Sequence, residues 1–326
     1  MKIIEITEDF ADESYSLFDA SGLQVGDTVS DDIYIKRSDK YIIIIEAGTV
    51  LTQKLYTALQ THSTLYVLNK AKKHTHISDN IKKVNCKTLL IRIKRDKKDS
   101  AKTLQLLYDA VQKLFADYLD NKDNKIDQLC TVSIIESIIF LFRNNNSYLK
   151  NIMPMMHNDH KLPVHSLNVT VYALHLGYIL NLNDEQLLKL GQAALLHDIG
   201  KKRVTYIIDK SSELNKEELE QIYKRVEHSL QILRENNIND TLIIDAVKHH
   251  QERFDGSGYP NGLKQYEISD FGAIIAICDV FDALTTDRPY RKRYGTFEAL
   301  KIMMQDPSMK NKFNNDYLKR GLISIT

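Results

Sequence analysis

The strongest constraint in the chain is the run His249-His250-Gln251-Glu252-Arg253-Phe254-Asp255-Gly256-Ser257-Gly258-Tyr259-Pro260. Its last five residues hold two glycines and a proline, a composition that cannot continue a helix. A helix bearing the two histidines must therefore end here in a fixed loop. Taken alone, such a loop is equally an ordinary helix terminator. A second run gives it company. Leu195-Leu196-His197-Asp198-Ile199-Gly200-Lys201 places a His-Asp pair at the end of an apolar helix, at the edge of a core. A buried aspartate beside a histidine is costly unless it is paired or bound to a cation. Gly200 then allows a sharp exit or a close backbone approach.

The chain has 326 residues, enough for one large domain or two ordinary ones. Its net charge of +1 offers no global field for nucleic acid or an anionic membrane. Cys86, Cys130 and Cys278 lie far apart, show no zinc spacing and are odd in number. They read as reduced thiols of a cytoplasmic protein. The start, Met1-Lys2-Ile3-Ile4-Glu5, lacks the apolar segment of a secretory signal. The most apolar runs, Tyr41 to Ile45 and Val132 to Phe142, fall far short of the roughly 20 residues that span a bilayer. The expectation is a cytoplasmic protein with neither membrane nor nucleic acid as partner.

Residues 1–95 read as a small α+β module. Leu23 to Asp27 and Ser30 to Asp32 carry turn chemistry, and Tyr41 to Ile45 is a β-branched run. Leu51 to Thr61 has helical spacing, and Leu65 to Leu68 reads as a returning strand. The charged run Arg95 to Asp99 marks a boundary, so residues 96–150 read as a helical connector, with a second helix at about Ile126 to Arg143. Residues 151–326 read as an almost wholly helical third part. Asn183 with Gln186 resembles a capping box. Glu217 to Leu233 is amphipathic, and Phe271 to Leu284 has the pattern of a buried helix. The fold class is mainly α.

Imidazole and carboxylate suit divalent ions, and phosphate chemistry uses such ions. The first hypothesis from the residues is therefore a metal-dependent phosphohydrolase. The paired motifs sharpen it. On His197-Asp198 and Asp255 to Pro260, about residues 160–295 resemble the HD-GYP family, a branch of the HD metal-dependent phosphohydrolases. The segment from Leu23 to Leu51 is similar, more loosely, to a module that often precedes such domains. The resemblance implies an all-helical catalytic domain that cleaves the bacterial second messenger cyclic di-GMP to pGpG, or on to GMP, using iron or manganese. It also implies diguanylate cyclase proteins as partners, and leaves a homodimer open.

Matched residue by residue, the resemblance assigns His165, His197, Asp198, His228, His250 and Asp279 as metal ligands. Asp198 is the expected bridge between ions, and Lys201 lies near the substrate phosphate. Two positions depart from the pattern. Gln251 stands where a second adjacent histidine is frequent, and Lys161 where three-metal members carry a glutamate. Two divalent ions are expected, with water or Gln251 completing the ligands of the second ion. Ions about 3.5–4 Å apart would share a bridging hydroxide as nucleophile. Asp198 and Lys201 are then the catalytic residues, Lys201 stabilising phosphoryl charge. Lys201, Arg288 and Arg291 are candidate phosphate binders. Asp282 either meets substrate or orients a ligand histidine. Glu252 and Asp255 are expected to hold the loop, and His175 to pack on the helix that starts near His165. His74 and His76, the lysines from Lys70 to Lys87, and His157 and His160 read as surface groups. Two other readings stay open: a catalytically weak adaptor that binds cyclic di-GMP or protein partners, and a phosphohydrolase of another nucleotide.

Overall fold

The computed structural model describes residues 15–18, 20, 23–29, 33–37, 40–45, 49–60, 64–68, 85–120, 125–145, 147–156, 161–204, 216–288 and 291–325. The chain forms two compact units, Met1–Lys83 and Val84–Thr326.

Among the described residues the first unit is a four-stranded antiparallel sheet with one helix. Strands β1 (Tyr15–Phe18), β2 (Ile33–Arg37), β3 (Lys40–Ile45) and β4 (Leu65–Leu68) lie in the order β1-β4-β2-β3, and α1 (Gln53–Gln60) connects β3 to β4. Alternation sets the register: Ile33 and Ile35 point to one face of β2, where they meet Ile45, Leu51, Leu59 and Leu65 in a small core. The strands expected at Tyr41 to Ile45 and Leu65 to Leu68, and the helix expected from Leu51, are all present. His74, His76 and the lysines between Lys70 and Lys83 lie outside the described residues, as do His157 and His160.

The second unit is helical and opens with α2 (Cys86–Asp96), α3 (Ser100–Asp120), α4 (Gln128–Asn144) and α5 (Tyr148–Ile152). The charged run Arg95 to Asp99 forms the turn between α2 and α3, where Asp96 pairs with both Arg95 and Lys102. Helices α2, α3 and α4 thus belong to the same compact unit as everything after them. Here one expectation is corrected. Cys86 and Cys130, read as separate thiols, are joined as a disulfide. Their separation in sequence hides the side-by-side packing of α2 and α4, which only the fold reveals. Cys278 is a buried free thiol.

The core is organised around α6 (Leu162–Ile179), buried on every side from Val164 to Gly177. A helix apolar all round must be central. It packs against α3, α7 (Asp184–Leu196) and α10 (Asp270–Thr285). Asn183 and Gln186 form the capping box at the start of α7. The remaining helices among the described residues are α8 (Lys216–Glu235), α9 (Thr241–His249), α11 (Thr296–Gln305) and α12 (Asn315–Ile325). Among the described residues no helix is long and apolar enough to cross a membrane.

Candidate metal centre

Five helices bring their chemistry to one buried point. His165 lies in the first turn of α6, His197-Asp198 follows the last turn of α7, and Arg225 comes from α8. His250 follows the last turn of α9, and Asp279 and Asp282 come from the second half of α10. His197 and His250 are each completely buried and share one local geometry. The Nδ1 of His197 donates to the Ala194 carbonyl at 2.7 Å, and the Nδ1 of His250 donates to the Val247 carbonyl at 2.7 Å. Those carbonyls belong to the last helical turns, where intrahelical partners run out. An oxygen can only accept, so both rings carry a proton on Nδ1, and in the neutral ring the bare nitrogen is the Nε2 that faces inward. His165 is held by a carboxylate instead, its Nδ1 lying 2.7 Å from Asp282 Oδ2.

The three Nε2 atoms surround the Asp198 carboxylate. His165 and His197 stand 3.9 and 3.8 Å from Oδ2, and His250 stands 3.8 Å from Oδ1. His165 Nε2 also lies 3.3 Å from Asp279 Oδ1. Most of these separations are too long for hydrogen bonds. His197 Nε2, His250 Nε2 and Asp198 Oδ1 are buried with no hydrogen-bond partner. Buried polar atoms without partners are costly, and several facing one point describe a cation site. Two ligand groups meet that description, His165-His197-Asp279 and His197-Asp198-His250, each with its atoms within 4.8 Å of one another. A ligand histidine whose other nitrogen is fixed by a carbonyl or carboxylate is the usual arrangement around a metal. The donor set therefore fits a divalent ion.

Electrostatics agree. Burial pushes the His197 pKa down to about 4, which keeps the ring neutral. Burial also opposes the charged form of His165, but hydrogen bonds to Asp279 and Asp282 outweigh it and raise the pKa to about 9. Asp198 stays ionised despite burial, because Arg225, His197, His250 and Lys201 hold its pKa well below the usual carboxylate range. His165 does the same for Asp279.

The expected site residues separate into distinct groups. His165, His197, Asp198, His250 and Asp279 come together. Gln251 touches the cluster by donating its amide to Asp279 Oδ2 at 2.9 Å. Asp282, 1% exposed, stands behind His165 and accepts from Asn168 at 2.9 Å, so both its oxygens face donors of α6. Lys201 is half-buried in the short turn Ile199–Val204 after the HD pair, its charge acting on Asp198. His228, expected as a ligand, is in neither group of clustered donor atoms. Arg291 is also placed differently from the expectation. Its guanidinium donates to the carbonyls of Ala283, Leu284 and Lys292 and stacks on Tyr294, capping the end of α10. Those donors are not available to a phosphate. Arg288 pairs with Arg291 through its backbone in the same short bridge.

The side chain that α8 does send to Asp198 is Arg225, which sequence reasoning passed over. Its Nε lies 3.8 Å from Asp198 Oδ1 and has no hydrogen-bond partner. The signal was available: Ile222, Val226, Ser229, Leu230 and Leu233 form the apolar stripe of α8, and Arg225 falls at its edge while His228 falls further round. Asn168 was also missed. It lies one turn after His165 on α6 and links Asp282 to the Tyr108 hydroxyl, which donates to it at 2.7 Å.

Two glycines make this convergence feasible. A Cβ on Gly200 would sit 2.4 Å from the Ser229 nitrogen and 2.5 Å from the Arg225 carbonyl, so the HD turn lies directly on the α8 backbone. The Gly200 amide donates to Ser229 Oγ at 2.9 Å. At Gly258 a Cβ would meet the backbone of Gln251, Glu252 and Arg253 within 2.5 Å. The loop 255–260 thus folds back on the end of α9, and Glu252 secures it by accepting from the amides of Asn261 (2.7 Å) and Leu263 (3.0 Å). Asp255 closes the loop's own turn through Ser257. Both carboxylates hold the loop, as expected. His249 faces away, accepting from the Ser269 amide.

Known proteins share these features. The HD domain family matches residues 143–311. A cyclic di-GMP phosphodiesterase of Pseudomonas aeruginosa is 32% identical over 181 residues, 55% of this chain and 44% of that protein. A 3'3'-cGAMP-specific phosphodiesterase of Vibrio cholerae is 39% identical over 143 residues, 44% of this chain and 31% of that protein. The chain thus spans less than half the length of these curated relatives. In fold it is similar to an HDG"Y"P protein of Bdellovibrio bacteriovorus, with a TM-score of 0.59 and 18% identity over 95% of this chain and 98% of the other. With its His-Asp pair and buried donor cluster inside the matched region, the chain belongs to the HD domain family.

Proposed function

We propose that the chain is a metal-dependent phosphodiesterase that opens cyclic di-GMP to linear pGpG. The observation that carries this is the set of three histidines, each anchored through Nδ1, whose Nε2 atoms face one ionised aspartate. Imidazole with carboxylate suits iron or manganese. His165, His197, Asp198 and Asp279 would hold the ion, with His250 on the other side of Asp198. When bound, the ion supplies Lewis-acid activation of water and of a phosphoryl oxygen.

The chain's own groups do the rest. Asp282 and the two helix-end carbonyls keep the imidazoles in the ligating tautomer. Lys201, at the rim, presents a positive charge to a phosphate oxygen. The loop 255–260, fixed by Glu252, forms the wall next to His250. Support for a cyclic dinucleotide comes from the relatives, whose names specify cyclic di-GMP or 3'3'-cGAMP. The sequence resemblance favours cyclic di-GMP.

The test is turnover of each cyclic dinucleotide by anaerobically purified protein reloaded with iron or manganese, beside Asp198→Ala. Metal-dependent opening of cyclic di-GMP that Asp198→Ala abolishes supports the reading. A preference for 3'3'-cGAMP would shift the substrate within the same chemistry. Tight binding without turnover in either metal would replace it by a signalling adaptor, for which diguanylate cyclase proteins are the partners to examine.

A further inference from the structure

Asp198 has two oxygens, and they face different surroundings. Oδ2 looks towards His165 and His197, with Asp279 beside them. Oδ1 looks towards His250 and Arg225, each at 3.8 Å. A centre of two ions bridged by Asp198 needs a second cation on the Oδ1 side. That position already has a cation. The Arg225 side chain is 16% exposed, and its Nε, 3.8 Å from Asp198 Oδ1, is out of contact with solvent. Guanidinium does not deprotonate in proteins, so this charge is permanent.

The surrounding residues fix it there. The backbone of Arg225 is pressed against Gly200, and its guanidinium lies over the Tyr259 ring at 5.9 Å, which is itself stacked with Tyr223 at 4.3 Å. On this side the donor group is His197, Asp198 and His250, so beyond the two ligands already shared with the first ion a second one would gain only His250. His228 is outside the clustered donors, and Gln251 spends its amide on Asp279. We infer that Arg225 takes the place of the second cation, so that the chain holds a single divalent ion between His165, His197, Asp198 and Asp279. This deepens the reading of the site as a metal centre and rests on it. It replaces the two-ion arrangement that the sequence resemblance implied.

The test counts ions and does not depend on turnover. Wild-type protein and Arg225→His are stripped with chelator, reloaded with manganese without oxygen, and measured for metal per folded chain. Arg225→His removes the fixed charge and supplies an imidazole beside Asp198 and His250. The inference expects a single ion in the wild type and about a twofold rise in bound metal in Arg225→His. Electron paramagnetic resonance of the loaded wild type should show isolated manganese, a result that stands even if the variant does not fold. A second ion in the wild type, an exchange-coupled manganese pair, or no gain in folded Arg225→His would overturn the inference. A wild type that binds no ion would refute the metal centre along with it. A single ion without turnover would refute only the phosphodiesterase reading and leave this inference standing.

Discussion

Asp282 gives the sharpest test of how the site is built. Its Oδ2 holds His165 at 2.7 Å, while its Oδ1 accepts from Asn168 at 2.9 Å and from Thr286 at 3.4 Å. Every nearby group donates, so the site needs an acceptor on both oxygens. Asp282→Asn keeps the size and replaces one acceptor with an NH2 donor. Whichever way the amide turns, a donor faces either His165 Nδ1 or Asn168 Nδ2. An opposed buried donor costs about 1–3 kcal/mol in stability. Losing the carboxylate behind a ligand histidine should weaken metal binding 10- to 100-fold, about 1.4–2.7 kcal/mol. Two assays separate these effects: urea unfolding of chelated protein, and manganese titration of folded protein. If Asp282 instead contacts substrate, the variant changes KM while manganese affinity stays at the wild-type value. That result would refute the positioning role.

Other perturbations test neighbouring parts of the account. Gly200→Ala forces a Cβ within 2.8 Å of three α8 backbone atoms, and should cost at least about 1–3 kcal/mol in thermal unfolding. Glu252→Gln removes one of two acceptors under the loop and should speed hydrogen exchange at the Asn261 and Leu263 amides; unchanged exchange would show that the loop is held by other contacts. Burial lowers the His175 pKa to about 4, so the unfolded chain protonates this residue at about 6.5 while the fold resists. The His175 contribution to the stability of chelated protein should therefore be constant above about pH 6.5 and fall by up to about 3 kcal/mol towards pH 4, a share of the pH slope that His175→Leu loses.

Most of the helical framework was legible, because its causes are local. The apolar stripe from Phe271 to Leu284 and the capping box at Asn183 each specify a helix without reference to the rest of the chain. His197-Asp198 and the loop ending in Pro260 were legible for a similar reason, since each must end a helix. Partners across the fold were not legible. Asp282 allowed two readings until His165 was found opposite it. Arg291 looked like a phosphate binder because sequence shows its charge but not the carbonyls at the end of α10 that consume it. Cys86 and Cys130 are joined by helix packing that no spacing encodes. His228 was assigned through the family resemblance, whereas the side chain that α8 brings to Asp198 is Arg225.

The central claim is that the imidazoles of His165 and His197 and the carboxylates of Asp198 and Asp279 converge on a divalent ion. X-ray absorption at the iron or manganese edge of the loaded protein tests this most directly. The account predicts an ion surrounded by nitrogen and oxygen, with the multiple-scattering signature of histidine rings, and loss of bound metal in Asp198→Ala. A shell of oxygens alone, unchanged by Asp198→Ala, would place the ion elsewhere and contradict the account.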